Sequence, residues 1–162
     1  MKYLKYHPIK EAIGIQKDID ILQDIRDIFT NLEDEYDEIK VSSSFMKYLG
    51  DGVFSVYNTD GKIRNTIKTT GGSYDRWQII FSGSDLTPPK CEEIYKSSIL
   101  LINQAMSLTG LDLDPMSGIS LVDYRNMRIL TTNFIDNPSS EIEEVIKGSR
   151  SITGLVVFRR GI

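Results

Sequence analysis

Six apolar residues early in the chain, Leu22, Ile25, Phe29, Leu32, Tyr36 and Ile39, recur at spacings of 3, 4, 3, 4 and 3. On a helix of about 3.6 residues per turn this spacing draws them into a single stripe. A stripe so regular has to be covered, by a sheet of the same chain or by a second copy of the helix. The positions between are acidic: from Gln16 to Lys40 the chain carries Asp18, Asp20, Asp24, Asp27, Glu33, Asp34, Glu35, Asp37 and Glu38 against only Lys17, Arg26 and Lys40. Residues 1–40 hold ten acids and six bases and residues 41–162 thirteen of each, so the whole formal charge of −4 lies in the leading helix and its flanks. This predicts an interaction surface or a solubility device. Leu22, Ile25, Phe29, Leu32 and Tyr36, with Asp20, Asp24 and Asp27, are the candidate protein-binding residues.

A chain of 162 residues is the size of one ordinary domain and long enough to bury a core. One domain over residues 1–162 is expected. Its 40% hydrophobic and 26% charged content suits a globular fold rather than a disordered chain. The acidic balance argues against binding a phosphate backbone, which needs clustered Lys and Arg. No apolar run approaches the roughly 18 residues of a membrane span, and the early lysines lead into a charged helix rather than an apolar segment. Cys91 is the only cysteine, which fits a reducing compartment. A cytoplasmic protein without a cofactor is therefore expected.

The leading helix is predicted from Pro8 or Lys10 to Glu38, with Gly14 as its weak point. Strands are predicted over Lys40–Leu49, Val53–Asn58, Lys62–Thr69 and Tyr74–Ser82, separated by turns at Gly50-Asp51-Gly52, Asp60-Gly61 and Gly71-Gly72. Thr87 before Pro88-Pro89 marks a second helix, with Ile94, Tyr95, Leu101, Ile102, Ala105 and Leu108 as its buried stripe and Gly110 as its cap. A hairpin from Ile119–Tyr124 to Met127–Phe134 follows, and the alternation of its apolar residues places Ile129 in the core. Asn137-Pro138 and Ser140-x-x-Glu143 start a short third helix that ends at Lys147-Gly148, and Leu155–Phe158 is a last short strand. The predicted class is α+β, an antiparallel sheet in the order helix, three or four strands, helix, two strands, helix, short terminal strand.

Motifs for catalysis are sparse. His7 is the only histidine, which limits any His-based metal site or Ser-His-Asp arrangement. Cys91 falls in the first turn of the second helix, where the dipole would lower a thiol pKa, but its spacing with Ile94 and Tyr95 fits the buried stripe. Thr69-Thr70-Gly71-Gly72-Ser73 lacks the Gly-Lys-Ser/Thr of a phosphate-cradling loop and reads as a turn. Asp112 and Asp114 resemble the start of a calcium loop, but Met116 stands at the third ligand position, so this is a helix-to-strand connection. Neither metal nor catalytic residues are expected.

Two resemblances bear on function. Lys47-Tyr48-Leu49-Gly50-Asp51-Gly52-Val53-Phe54-Ser55-Val56-Tyr57 resembles the Gly-Asp-Gly hairpin of class III nucleotidyl cyclases, which implies a catalytic metal on Asp51. That family's upstream metal aspartate has no counterpart near His7, so this enzyme remains an alternative. Glu93-Ile94-Tyr95-Lys96 through Ile102-Asn103-Gln104-Ala105-Met106, then Gly118-Ile119-Ser120-Leu121-Val122-Asp123-Tyr124, Arg128-Ile129-Leu130 and Ile142-Glu143-Glu144-Val145-Ile146, resembles the back half of the type III secretion chaperone-like fold, which includes the YbjN-like proteins. The resemblance implies a small acidic cytoplasmic homodimer that binds another protein and performs no catalysis. The chain departs from it by an extra strand and a basic tail. Three functions stand as expectations: a chaperone-like or regulatory protein-binding domain, an acidic inhibitor from a phage or mobile element that mimics nucleic acid, and the cyclase-like enzyme.

Overall fold

The computed structural model describes residues 8–133 and 140–161. His7, Phe134 and the Asn137-Pro138 helix start fall outside the described residues. The elements run α1 (Pro8–Glu35), β1 (Ile39–Gly50), β2 (Val53–Tyr57), β3 (Ile63–Lys68), β4 (Arg76–Gly83), α2 (Pro88–Thr109), β5 (Asp112–Leu113), β6 (Gly118–Asp123), β7 (Arg128–Asn133), α3 (Ser140–Ile146) and β8 (Ser149–Arg159). The fold is α+β. Its eight strands form one antiparallel sheet ordered β3-β2-β1-β4-β8-β6-β7, with β5 also paired to β8.

The terminal strand is where expectation and structure part most. Leu155–Phe158 is the second half of an 11-residue strand at the centre of the sheet, where it joins the four-strand meander to the β6–β7 hairpin. Gly154 hid the first half, because it stands just before the apolar run from Leu155 to Phe158 and glycine weakens strand propensity. Gly154 has a specific reason to be there. It is paired to Phe81 on one side and Ile119 on the other, and a Cβ at 154 would run into the Phe81 ring.

One face of the sheet carries Ile39, Val41, Phe45, Trp77, Ile79, Phe81, Ile119, Leu121, Ile152, Val156 and Phe158, and it packs with α1, α2 and α3 into one buried cluster. The α1 stripe belongs to this cluster. Leu22, Ile25, Phe29 and Leu32 are fully buried and Tyr36 is 7% exposed. Burying such side chains stabilises the fold by about 1.5–3 kcal/mol each, on the order of 10 kcal/mol in all, which rivals a total stability of roughly 5–15 kcal/mol. These residues are core, which corrects their reading as a protein-binding surface. Of the two covers the spacing allowed, the chain's own sheet takes the stripe, and no seam is left there for a second copy.

α2 begins and ends where its sequence signals place it. The Thr87 side chain accepts from the Lys90 amide, and Gly110 takes a left-handed φ of 72° while its N–H donates to the Met106 carbonyl. Ile94, Tyr95, Leu101, Ile102 and Ala105 are buried, but Leu108 is 61% exposed, a correction to the predicted stripe. Ile129 is a second correction, at 71% exposed. β7 is an edge strand, and its helix-facing residue is Leu130, opposite Leu121; Ile129 pairs with Val122 and faces away. Asp112 and Leu113, expected as connection, form the short β5, and α1 stops at Glu35 rather than Glu38.

Candidate functional site

With its apolar stripe buried, α1 shows solvent its other side. Three of the nine acids between Gln16 and Lys40 are tied inward. Asp18 is buried and accepts from Arg160 Nη2 at 2.7 Å. Glu33 pairs with Arg26 at 3.1 Å and accepts from the Val41 amide, while Arg26 also donates to the Val41 carbonyl. Glu38 pairs with Lys90 at 2.9 Å, and the bond to that ammonium holds its carboxyl below the ordinary range. Asp20, Asp24, Asp27 and Asp34 are exposed, with Asn31 between them, at spacings of 4, 3, 4 and 3. They form an anionic line opposite the apolar one. Asp24, Asp27 and Asp34 have no ion-pair partner among the described residues, and Asp20 only accepts from Gln16 at 2.9 Å.

α2 starts beside the end of α1, where Glu38 pairs with Lys90 and the Tyr36 hydroxyl donates to Glu93 at 3.4 Å. The two helices flank a groove of about 550 Å³ lined by Asn31, Asp34 and Glu35 on one side and Ser97, Leu100 and Gln104 on the other. Leu100 is 69% exposed there, and Leu108 continues the same ridge one turn beyond Gln104. The face thus combines free carboxylates with bare leucines. Asp20, Asp24 and Asp27 are placed together on it; Leu22, Ile25, Phe29, Leu32 and Tyr36 lie beneath. Leu100 was missed because its neighbours Leu101 and Ile102 carry the helical period, and one apolar residue out of phase looks like part of the same run.

At the far end of the sheet, the β1–β2 turn faces the β3–β4 loop across a cavity of about 810 Å³. Gly50, Asp51 and Gly52 take φ values of 100°, 55° and 76°. At Gly52 the left-handed backbone also brings the chain against the loop: the Thr69 amide donates to the Gly52 carbonyl at 2.8 Å, and a Cβ at 52 would strike the Thr69 carbonyl oxygen. Tyr48 lines the cavity with its phenol held below the ordinary range, first by the Ser73 side chain and then by the Gly52 amide. Asp51 is exposed on the rim. Among the described residues it belongs to no group of three or more His, Cys, Asp and Glu side chains close enough to hold a metal ion. The residues present therefore do not fit the metal that a cyclase-like hairpin would need.

Cys91, in the first turn of α2, is fully buried, and burial pushes its thiol up to about 11, the opposite of an activated nucleophile. Among the described residues no helix is long and apolar enough to cross a membrane. No protein-family model matches the chain, and neither do curated proteins or solved structures.

Proposed function

We propose that this chain is a non-enzymatic protein-binding domain, chaperone-like or regulatory in character, that docks a basic partner protein on the outer face of α1 and α2. The observation that carries the reading is the unpaired line Asp20, Asp24, Asp27 and Asp34 beside the exposed Leu100. Carboxylates steer and orient a cationic surface, while a leucine at the groove offers apolar area for affinity. The reading requires one copy of the chain only. A cytoplasmic setting is part of it, since the lone cysteine suits a reducing compartment.

Charge density favours this reading over a nucleic-acid mimic. From Asp20 to Asp34 the helix rises about 21 Å at about 1.5 Å per residue, so the four carboxylates stand roughly 7 Å apart along the axis, against about 1.7 Å of axis per charge on duplex DNA. A groove built for that density would be poorly matched. The test places a photo-crosslinking residue at position 31, which lines the groove and is exposed, and compares capture from lysate by the otherwise unchanged chain, by the triple variant Asp24→Lys, Asp27→Lys, Asp34→Lys, and by Leu100→Ser. A partner with a basic contact surface should be lost with the triple variant and weakened with Leu100→Ser. Capture that survives both sets of changes refutes the reading; capture abolished by charge reversal but indifferent to Leu100→Ser would install the mimic instead.

A further inference from the structure

Arg76 is 4% exposed and has no carboxylate within ion-pair distance among the described residues. Its guanidinium lies 4.9 Å from the Phe54 ring centroid and 5.2 Å from that of Tyr74, reaches the Met116 sulfur at 4.0 Å, and leaves Nε without a partner. A buried charge without its counter-charge is costly and uncommon. Its Nη2 donates to the carbonyls of Gly71 and Gly72, which line the cavity between the β1–β2 turn and the β3–β4 loop. The positive charge is therefore stationed one peptide layer behind the cavity wall, where water screens it little.

The wall itself suits an anion. Lys68 lines it and has no ion-pair partner among the described residues. Thr70 adds a hydroxyl, while that of Thr69 donates to the Thr70 carbonyl and that of Ser73 is bonded to the Tyr48 phenol. The amides of Gly71, Gly72 and Ser73 meet no carbonyl of the described residues. With two carbonyls of this loop turned back onto Arg76, the loop presents donors rather than acceptors to the cavity. Asp51 is the opposing charge on the rim. Here the lysine precedes the glycines and no helix follows, so the phosphate-loop pattern sought in the sequence is absent; the tertiary structure adds Arg76 from β4 in its place.

We propose that this cavity binds the phosphoryl group of a small phosphate monoester, with Lys68 and the Gly71–Ser73 amides as direct donors and Arg76 holding the loop and its field in place. The site is remote from the α1–α2 face, so either proposal can fail alone. The test is a titration of ¹⁵N-labelled protein with phenyl phosphate and with inorganic phosphate, against sodium chloride at matched ionic strength. Saturable shifts should centre on the amides of Gly71, Gly72 and Ser73 in both phosphate arms. Lys68→Ala should weaken binding about tenfold, the usual scale for a hydrogen bond to a charged group, with an unchanged thermal melt. Asp51→Asn should tighten it by removing a repulsion. Shifts that do not saturate, that match those in chloride, that persist undiminished in Lys68→Ala, or that weaken in Asp51→Asn would overturn the proposal.

Discussion

Gly154→Ala tests whether the C-terminal strand is central and fully packed. The glycine sits between Phe81 and Ile119, both fully buried, in a row that continues to Val41 on β1. An alanine Cβ there would lie 2.8 Å from Phe81 Cε2 and nearer still to its Cζ and Cε1. Carbon atoms pack best at about 3.5–4.0 Å, so the ring must retreat by about 1 Å or more into a neighbourhood without free space. Overpacking of this kind costs about 1–3 kcal/mol, and a contact this short belongs at the upper end. Against it stands the gain of about 0.4–1 kcal/mol from a less flexible unfolded chain. The net expectation is about 2–2.5 kcal/mol of destabilisation, seen as a lower urea midpoint at unchanged slope and a Tm lower by about 4–10 °C for a chain of this size. Adding Phe81→Leu to Gly154→Ala should cost less than the sum of the two single changes, because the smaller side chain frees the space the methyl needs. A Gly154→Ala protein as stable as wild type, or strictly additive changes, would show that the ring does not lie over residue 154.

Ile129→Asp should change stability by no more than about 0.5 kcal/mol, because the side chain is mostly in water, whereas Leu121→Ala on the neighbouring strand should cost about 2–5 kcal/mol; urea melts of the pair check both. The triple charge reversal at Asp24, Asp27 and Asp34 should leave the thermal melt nearly unchanged, since exposed charges contribute about 0–1 kcal/mol per pair, and a collapsed melt would place these residues in a structural network. The Cys91 thiol stays protonated in the folded protein from its ordinary 9.0 up to about 11, while the unfolded chain ionises first. Its contribution to stability is thus full at neutral pH and falls as pH rises through that window, a fall that Cys91→Ala should remove, and thiol reagents at pH 8 should label it only in denaturant. Burial acts to raise the Asp123 carboxyl, but the hydrogen bonds from Arg125 and Asn126 outweigh it and hold it below the ordinary range. Its stabilisation is present at neutral pH and lost as pH falls through that lowered value, so Asp123→Asn should be destabilising at pH 7 and converge with wild type in acid.

What the sequence determined by itself is local or periodic. The 3-4-3-4-3 stripe made α1 amphipathic, Thr87 and Gly110 bounded α2, and the glycine turns set the four-strand meander, because capping, φ preference and side-chain period act over a few residues. The α+β class follows from those elements. What only the tertiary structure decided is what covers what. The α1 stripe looks the same whether a sheet or a partner buries it, and the sheet of its own chain does. Ile129 and Leu130 are adjacent and equally apolar, and only the register against Leu121 sends one to the core and the other to water. β8 gains its central place from β4 and β6, more than 60 and 25 residues away in sequence by the pairings Trp77↔Phe158 and Leu121↔Ile152. The candidate sites divide in the same way. The carboxylates of α1 could be read from the chain, whereas the exposure of Leu100 and the placing of Arg76 behind Gly71 and Gly72 arise from packing between distant segments, which no local pattern encodes.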